Sequence, residues 1–143
     1  MSAGAPSLLF VCIENSNRSQ MAEGFARTLG GGRVVAFSAG SQPSGVINPR
    51  AIRFMDEKGI DLSTQRSKGL QDLPTVSWDY IVTMGCGDAC PSLPARHRLD
   101  WALQDPKHLD DDGFRAVRDR IEALVKGLVV EATRSESSEG AQG

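Results

Sequence analysis

Apolar residues follow two alternating rhythms along this chain: short unbroken runs, and longer segments in which they recur every three or four positions. The first run, about Ser7–Val11, reads as a strand, and the periodic segment from Ser19 to about Leu29, closed by Gly30-Gly31-Gly32, reads as a helix. A second strand at about Arg33–Ser38 stops at Ala39-Gly40. A helix over about Pro49–Lys58 has proline at its start and Gly59 beyond its end. The stretch from Ile60 to Ser77 is irregular, with one short helix around Lys68–Leu73. Asp79–Met84 is a β-favouring run, and Arg98–Trp101 reads as a short fourth strand. In the last periodic segment, about Asp112–Glu131, residues Phe114, Val117, Ile121, Leu124, Val125 and Leu128 form one apolar face. This β-α-β-α alternation predicts an α/β fold, a parallel sheet with helices on both faces, in a single domain over residues 1–132. From Thr133 the chain is Ser, Glu, Gly and Gln with little else, which predicts a disordered tail over 133–143.

Composition narrows the function classes. With 143 residues, 40% hydrophobic and 24% charged, the chain is an ordinary globular domain, and its net charge of −2 gives no reason to expect nucleic acid or an anionic membrane as partner. The N-terminal residues lack a basic segment, and the apolar stretch after them is too short for a membrane span. A cytoplasmic monomer without a bound cofactor is the expectation. In a reducing compartment, Cys12, Cys86 and Cys90 suit catalysis or metal binding better than structural disulfides.

The chemistry concentrates in Cys12-Ile13-Glu14-Asn15-Ser16-Asn17-Arg18-Ser19, where a cysteine precedes an arginine by six positions between a strand and a helix. Such a loop can turn backbone N–H groups toward one point at the positive end of a helix, and the guanidinium of Arg18 adds a planar fork for two oxygens. The same field and the Ser19 hydroxyl favour a negative charge on sulfur. Read this way, Ile13 to Ser19 cradle a tetrahedral oxyanion around Cys12. The plainer alternative is a buried cysteine at a strand end beside an ordinary helix.

Cys86 and Cys90 follow directly on the strand at Asp79–Met84. If that strand is parallel to the first, all three cysteines lie at one carboxyl edge of the sheet, where open α/β folds bind ligands. Flanking glycines and Pro91 favour a loop that can rearrange. Zinc is the competing explanation, with His97 and His108 as the other ligands, but these stand eleven positions apart, wider than the usual histidine spacing of ~4–6. Asp105-Pro106 reads as a turn, whose carboxyl becomes of interest because an oxygen leaving a tetrahedral centre needs an acid.

Cys12–Phe25, Phe37-Ser38-Ala39-Gly40, Val82–Pro91 and the segment from Asp100-Trp101 to Asp105-Pro106 together resemble the arsenate reductases built on the low-molecular-weight tyrosine phosphatase fold. The resemblance spans about Ser7 to Val130. It implies a four-stranded parallel sheet within a three-layer αβα domain of that topology. It also implies that arsenate docks in the Cys12–Ser19 loop, held by Arg18, that Cys12 attacks arsenic, and that Asp105 protonates the departing oxygen. Cys86 then attacks the Cys12 sulfur and arsenite leaves. Cys90 closes a Cys86–Cys90 disulfide, which thioredoxin reopens.

Reducing arsenate takes two electrons, and forming one disulfide supplies two, whereas hydrolysing a phosphate needs none. The alternatives are a tyrosine phosphatase using Cys12, Arg18 and Asp105, a reductase coupled to mycothiol or glutathione, and a non-catalytic oxyanion sensor. The chain departs from the family pattern at Glu14, where many relatives have glycine, and at Asn17, where reductases often have another cysteine; Glu14 is expected to face solvent. Asn15, Glu23 and Ser38 match the potassium ligands of some relatives, while Lys68 stands where an acidic ligand would be, so its ammonium is expected to replace the ion.

Overall fold

The computed structural model describes residues 5–74, 77–85 and 93–142, with side chains through residue 134. Cys86 and Cys90 lie outside the described residues. Four strands, β1 (Ser7–Cys12), β2 (Val35–Gly40), β3 (Trp78–Thr83) and β4 (Ala95–Asp100), form one sheet in the order β2-β1-β3-β4. Every pairing is parallel, as expected. Among the described residues, three helices, α1 (Arg18–Gly30), α2 (Pro49–Asp56) and α3 (Asp111–Gln142), accompany it with short 3-10 turns at Leu62–Thr64, Leu70–Asp72 and Pro106–His108.

The two-residue period of β1 explains the layering. Leu8, Phe10 and Cys12 point to one face, where they meet Met21 and Phe25 of α1, Phe54 of α2, and Phe114, Ile121 and Val125 of α3. Leu9 and Val11 point to the other, joining Trp78, Ile81 and Ala39. Among the described residues that second face is covered by Leu70 and Leu73, beside the 3-10 turn, and by Leu93, with no long helix upon it.

Several boundaries differ from the sequence expectation, β2 running Val35–Gly40 rather than Arg33–Ser38 and β3 starting one residue early at Trp78, and three further differences have a clear physical cause. β4 begins at Ala95, before the expected Arg98, because its polar residues Arg96, His97 and Arg98 hide an edge strand held by the ladder to Trp78–Thr83. Helix α2 ends at Asp56, two residues short of Lys58, in a turn completed by Gly59 at φ 75°. Helix α3 runs on to Gln142, so the segment expected to be disordered carries helical backbone; Ala132 is buried on its inner face, and the Glu and Ala residues beyond are good helix formers.

Candidate active site

Cys12 is the last residue of β1, paired with Gly40 at the end of β2 and buried against α1. The loop after it crosses immediately over Gly40: a Cβ there would lie 2.5 Å from the Ile13 carbonyl oxygen and 2.9 Å from the Asn15 nitrogen. Only glycine admits that approach.

The carbonyls of the loop are all turned outward. Cys12, Ile13, Glu14 and Ser16 accept from the backbone N–H groups of Ser41, Gln42, Ser44 and Asn48, while Asn17 accepts from Met21 and Asn15 from the Gln20 side chain. Among the described residues, no backbone N–H of residues 13–18 donates to another backbone carbonyl. Turning the carbonyls away leaves those donors for an anion at the N-terminus of α1. The side chain of Arg18 is buried; its Nη1 donates to the Leu103 carbonyl at 3.0 Å, and its Nε has no partner among the described residues. A buried guanidinium N–H without an acceptor is costly, and an oxyanion in the loop supplies one.

Asn15 organises the surroundings of Cys12. Its backbone adopts φ 52°, a left-handed conformation that asparagine tolerates better than most residues. Its Oδ1 accepts from the Lys68 backbone N–H at 2.9 Å and from Gln20 Nε2 at 2.9 Å, which orients the amide so that Nδ2 donates to Ser19 Oγ at 2.7 Å. Ser19 Oγ in turn lies 2.8 Å from Cys12 Sγ. Accepting from Asn15 leaves the hydroxyl proton free for the sulfur.

The opposite wall is the turn at Asp105. Asn17 Nδ2 donates to Asp105 Oδ1 at 3.3 Å, and Arg18 Nη2 stands 3.7 Å from Oδ2. Cys12, Ile13, Glu14, Ser16, Asn17, Arg18 and Asp105 line one cavity of about 60 Å³. That is room for a small ion, well below the ~300 Å³ at which organic ligand pockets begin. The structure thus brings Cys12, Arg18, Asp105 and the loop together.

Gly85, just after β3, packs against the Arg18 side of the site. Its φ is +83°, and a Cβ there would lie 2.7 Å from Arg18 Nη1. His97 stacks on Tyr80 in the sheet, with ring centroids 4.7 Å apart, while His108 is exposed in the 3-10 turn after Asp105. Among the described residues no group of three or more His, Cys, Asp or Glu could hold a metal.

Beneath the loop, Glu23 is buried, accepting from Ser38 Oγ and paired with Arg27 at 2.6 Å and with Lys68 Nζ at 3.6 Å. Burial pushes the Lys68 ammonium below its usual range, against the pull of Glu23. The Asn15 side chain meets this cluster at the Lys68 backbone N–H, its other partners being Ser19 and Gln20. Three contributors were missed from sequence: Gln20, its partner Gln65, whose Nε2 donates to Gln20 Oε1 at 2.7 Å, and Lys107. A polar face on α1 was a signal for Gln20; nothing local marks the others.

A family model for low molecular weight phosphotyrosine protein phosphatase matches residues 7–138. The chain belongs to this family. Within the family it is similar to the glutaredoxin arsenate reductase of Synechocystis sp., 39% identical over 125 residues that span 85% of this chain and 95% of the relative. A solved arsenate reductase in the phosphate binding state superposes with a TM-score of 0.80 at 36% identity, covering 89% of this chain and 98% of that one. The thioredoxin-dependent arsenate reductase of Corynebacterium glutamicum gives a TM-score of 0.78 at 30% identity, covering 94% of this chain and 65% of that one. No helix among the described residues is long and apolar enough to cross a membrane.

Proposed function

We propose that this chain is an arsenate reductase that draws its electrons from its own thiols and is regenerated by thioredoxin. Arsenate binds in the Cys12 loop, its oxygens taken by Arg18 Nε and by the backbone N–H groups of residues 13–18, which donate to no backbone carbonyl among the described residues. The Cys12 thiolate attacks arsenic, and one oxygen leaves as water with the proton delivered by Asp105. The Cys86 thiolate then attacks the Cys12 sulfur. The S–As bond breaks with its electron pair passing to arsenic, giving arsenite and a Cys12–Cys86 disulfide. Cys90 attacks Cys86, which frees Cys12 as a thiolate and leaves a Cys86–Cys90 disulfide for thioredoxin. Arsenic gains two electrons, and two thiols become one disulfide.

The observation that carries this reading is the close approach of Gly85 to Arg18, where a Cβ would lie 2.7 Å from Nη1. The residue before Cys86 abuts the guanidinium of the anion site, because Val11 pairs with Thr83 and the Met84 N–H donates to the Val11 carbonyl at 2.9 Å. The relatives' names support arsenate as substrate and differ on the donor, one naming glutaredoxin and another thioredoxin dependence. Coupling to glutathione or mycothiol is therefore the alternative within the same chemistry.

A tyrosine phosphatase using Cys12, Arg18 and Asp105 is the second reading, favoured by the family description. Against it, the sole tyrosine, Tyr80, is on β3 with its hydroxyl on Glu131, and the turn beside the cavity is Pro106–His108. The test is steady-state arsenate reduction with each donor system in turn, beside p-nitrophenyl phosphate hydrolysis, for the wild type and for Cys12→Ser, Cys86→Ser and Cys90→Ser. The relay predicts that thioredoxin supports turnover and that every variant abolishes it. Phosphate ester hydrolysis without arsenate reduction under any donor would overturn it.

A further inference from the structure

We infer that Glu14 and Lys107 form an ion-pair strap across the rim of the oxyanion cavity, which admits a free tetrahedral oxyanion and disfavours its esters. The inference rests on the proposed reading of the cavity and names a specificity device for it. Glu14 and Asn17, the two positions at which the loop departs from the pattern it resembles, reach across to the same turn. Glu14 Oε2 lies 3.2 Å from Lys107 Nζ, and Asn17 Nδ2 lies 3.3 Å from Asp105 Oδ1. The backbone N–H of Lys107 donates to that same Asp105 oxygen at 3.1 Å, joining the two contacts into one unit.

Two consequences follow from the placement. The first is electrostatic. Glu14 lines the cavity, and an unpaired carboxylate at its rim would repel an entering dianion; the ammonium of Lys107 cancels that charge. Both side chains are a little over 40% exposed, so the effect is modest and sensitive to salt. The second is steric. The oxygen to be protonated faces Asp105, so an alcohol group on that oxygen would leave past the Asp105–Lys107 turn, where the strap and the Asn17 contact hold the turn against the loop.

The test uses the full chain as wild type, Lys107→Met, Glu14→Gln and the double variant, with circular dichroism confirming that each is folded. Inorganic phosphate and phenyl phosphate are titrated as protectants of Cys12 against iodoacetate. Lys107→Met is expected to weaken phosphate protection by about threefold to fivefold at low salt. High salt removes the difference, and Glu14→Gln in the same chain restores the affinity. In the double variant the preference for phosphate over phenyl phosphate falls by a similar factor. Unchanged phosphate protection in Lys107→Met at low salt, or an unchanged preference in the double variant, would overturn the strap. If neither ligand protects Cys12 in the wild type, the cavity is no oxyanion site and the proposal falls with that reading.

Discussion

Ser19 Oγ lies 2.8 Å from Cys12 Sγ while accepting from the amide of Asn15. The amide cannot turn, because two donors hold its Oδ1, so the serine proton is directed at the sulfur. A hydrogen bond to a charged acceptor is worth ~1.5–3 kcal/mol. Ser19→Ala is therefore expected to slow both arsenate turnover and Cys12 alkylation near neutral pH by about tenfold or more. Alkylation at the wild-type rate would show that the hydroxyl does not hold the thiolate.

The close crossing of the loop over Gly40 predicts a second effect. A methyl group there meets backbone atoms that cannot step aside, since the Ile13 carbonyl also holds the Gln42 N–H at 2.8 Å. Gly40→Ala should destabilise the fold by ~1–3 kcal/mol, as overpacking does, and abolish phosphate protection of Cys12 even at temperatures where the protein is folded. Urea unfolding beside the alkylation assay separates the two effects.

Lys68 makes a prediction about cations. Its ammonium lies beside the buried carboxylate of Glu23, with Ser38 and Arg27 as the other partners. Lys68→Ala removes one of two cationic partners and should lower stability by about 1–3 kcal/mol, less than loss of a sole partner would cost. If the ammonium stands in for an ion, potassium chloride should raise the melting temperature of Lys68→Ala more than that of the wild type, and more than sodium chloride does. An identical response of both proteins to both salts would argue against a cation site.

Far from the cavity, Glu57 ties α2 to α3. Hydrogen bonds from Arg115 and Arg118 hold its carboxyl at about 2, well below its ordinary 4.5. A depressed folded value means stability that is present in full above the ordinary carboxylate range and lost as pH falls toward 2. The difference in urea midpoint between wild type and Glu57→Gln should thus be largest near neutral pH, shrink below about pH 4.5, and be lost as pH falls through about 2. A difference independent of pH would assign the effect to packing.

The Cys12–Ser19 loop was legible in the sequence because its chemistry is local: Cys12, Arg18 and Ser19 fall within eight residues, between a run and a periodic segment that name their own structures. What was hidden acts across the chain. Lys107 is 93 positions from Glu14, and Gln65 is 45 from Gln20, distances over which no pattern speaks. Glu14 was expected in solvent, and its carboxylate does turn to the rim, but its partner comes from the fold. Strand β4 was shortened in the reading for a related reason. Its charged residues carry no apolar rhythm, and only the neighbouring strand makes them extended.

The central claim is the thiol relay, and the product disulfide tests it directly. Reduced protein is incubated with arsenate alone, quenched with an alkylating agent and mapped by mass spectrometry, with arsenite measured in solution. The relay predicts one Cys86–Cys90 disulfide and one arsenite per chain, and a trapped Cys12–Cys86 link in Cys90→Ser. Arsenite released with Cys86 and Cys90 both still alkylated would contradict it.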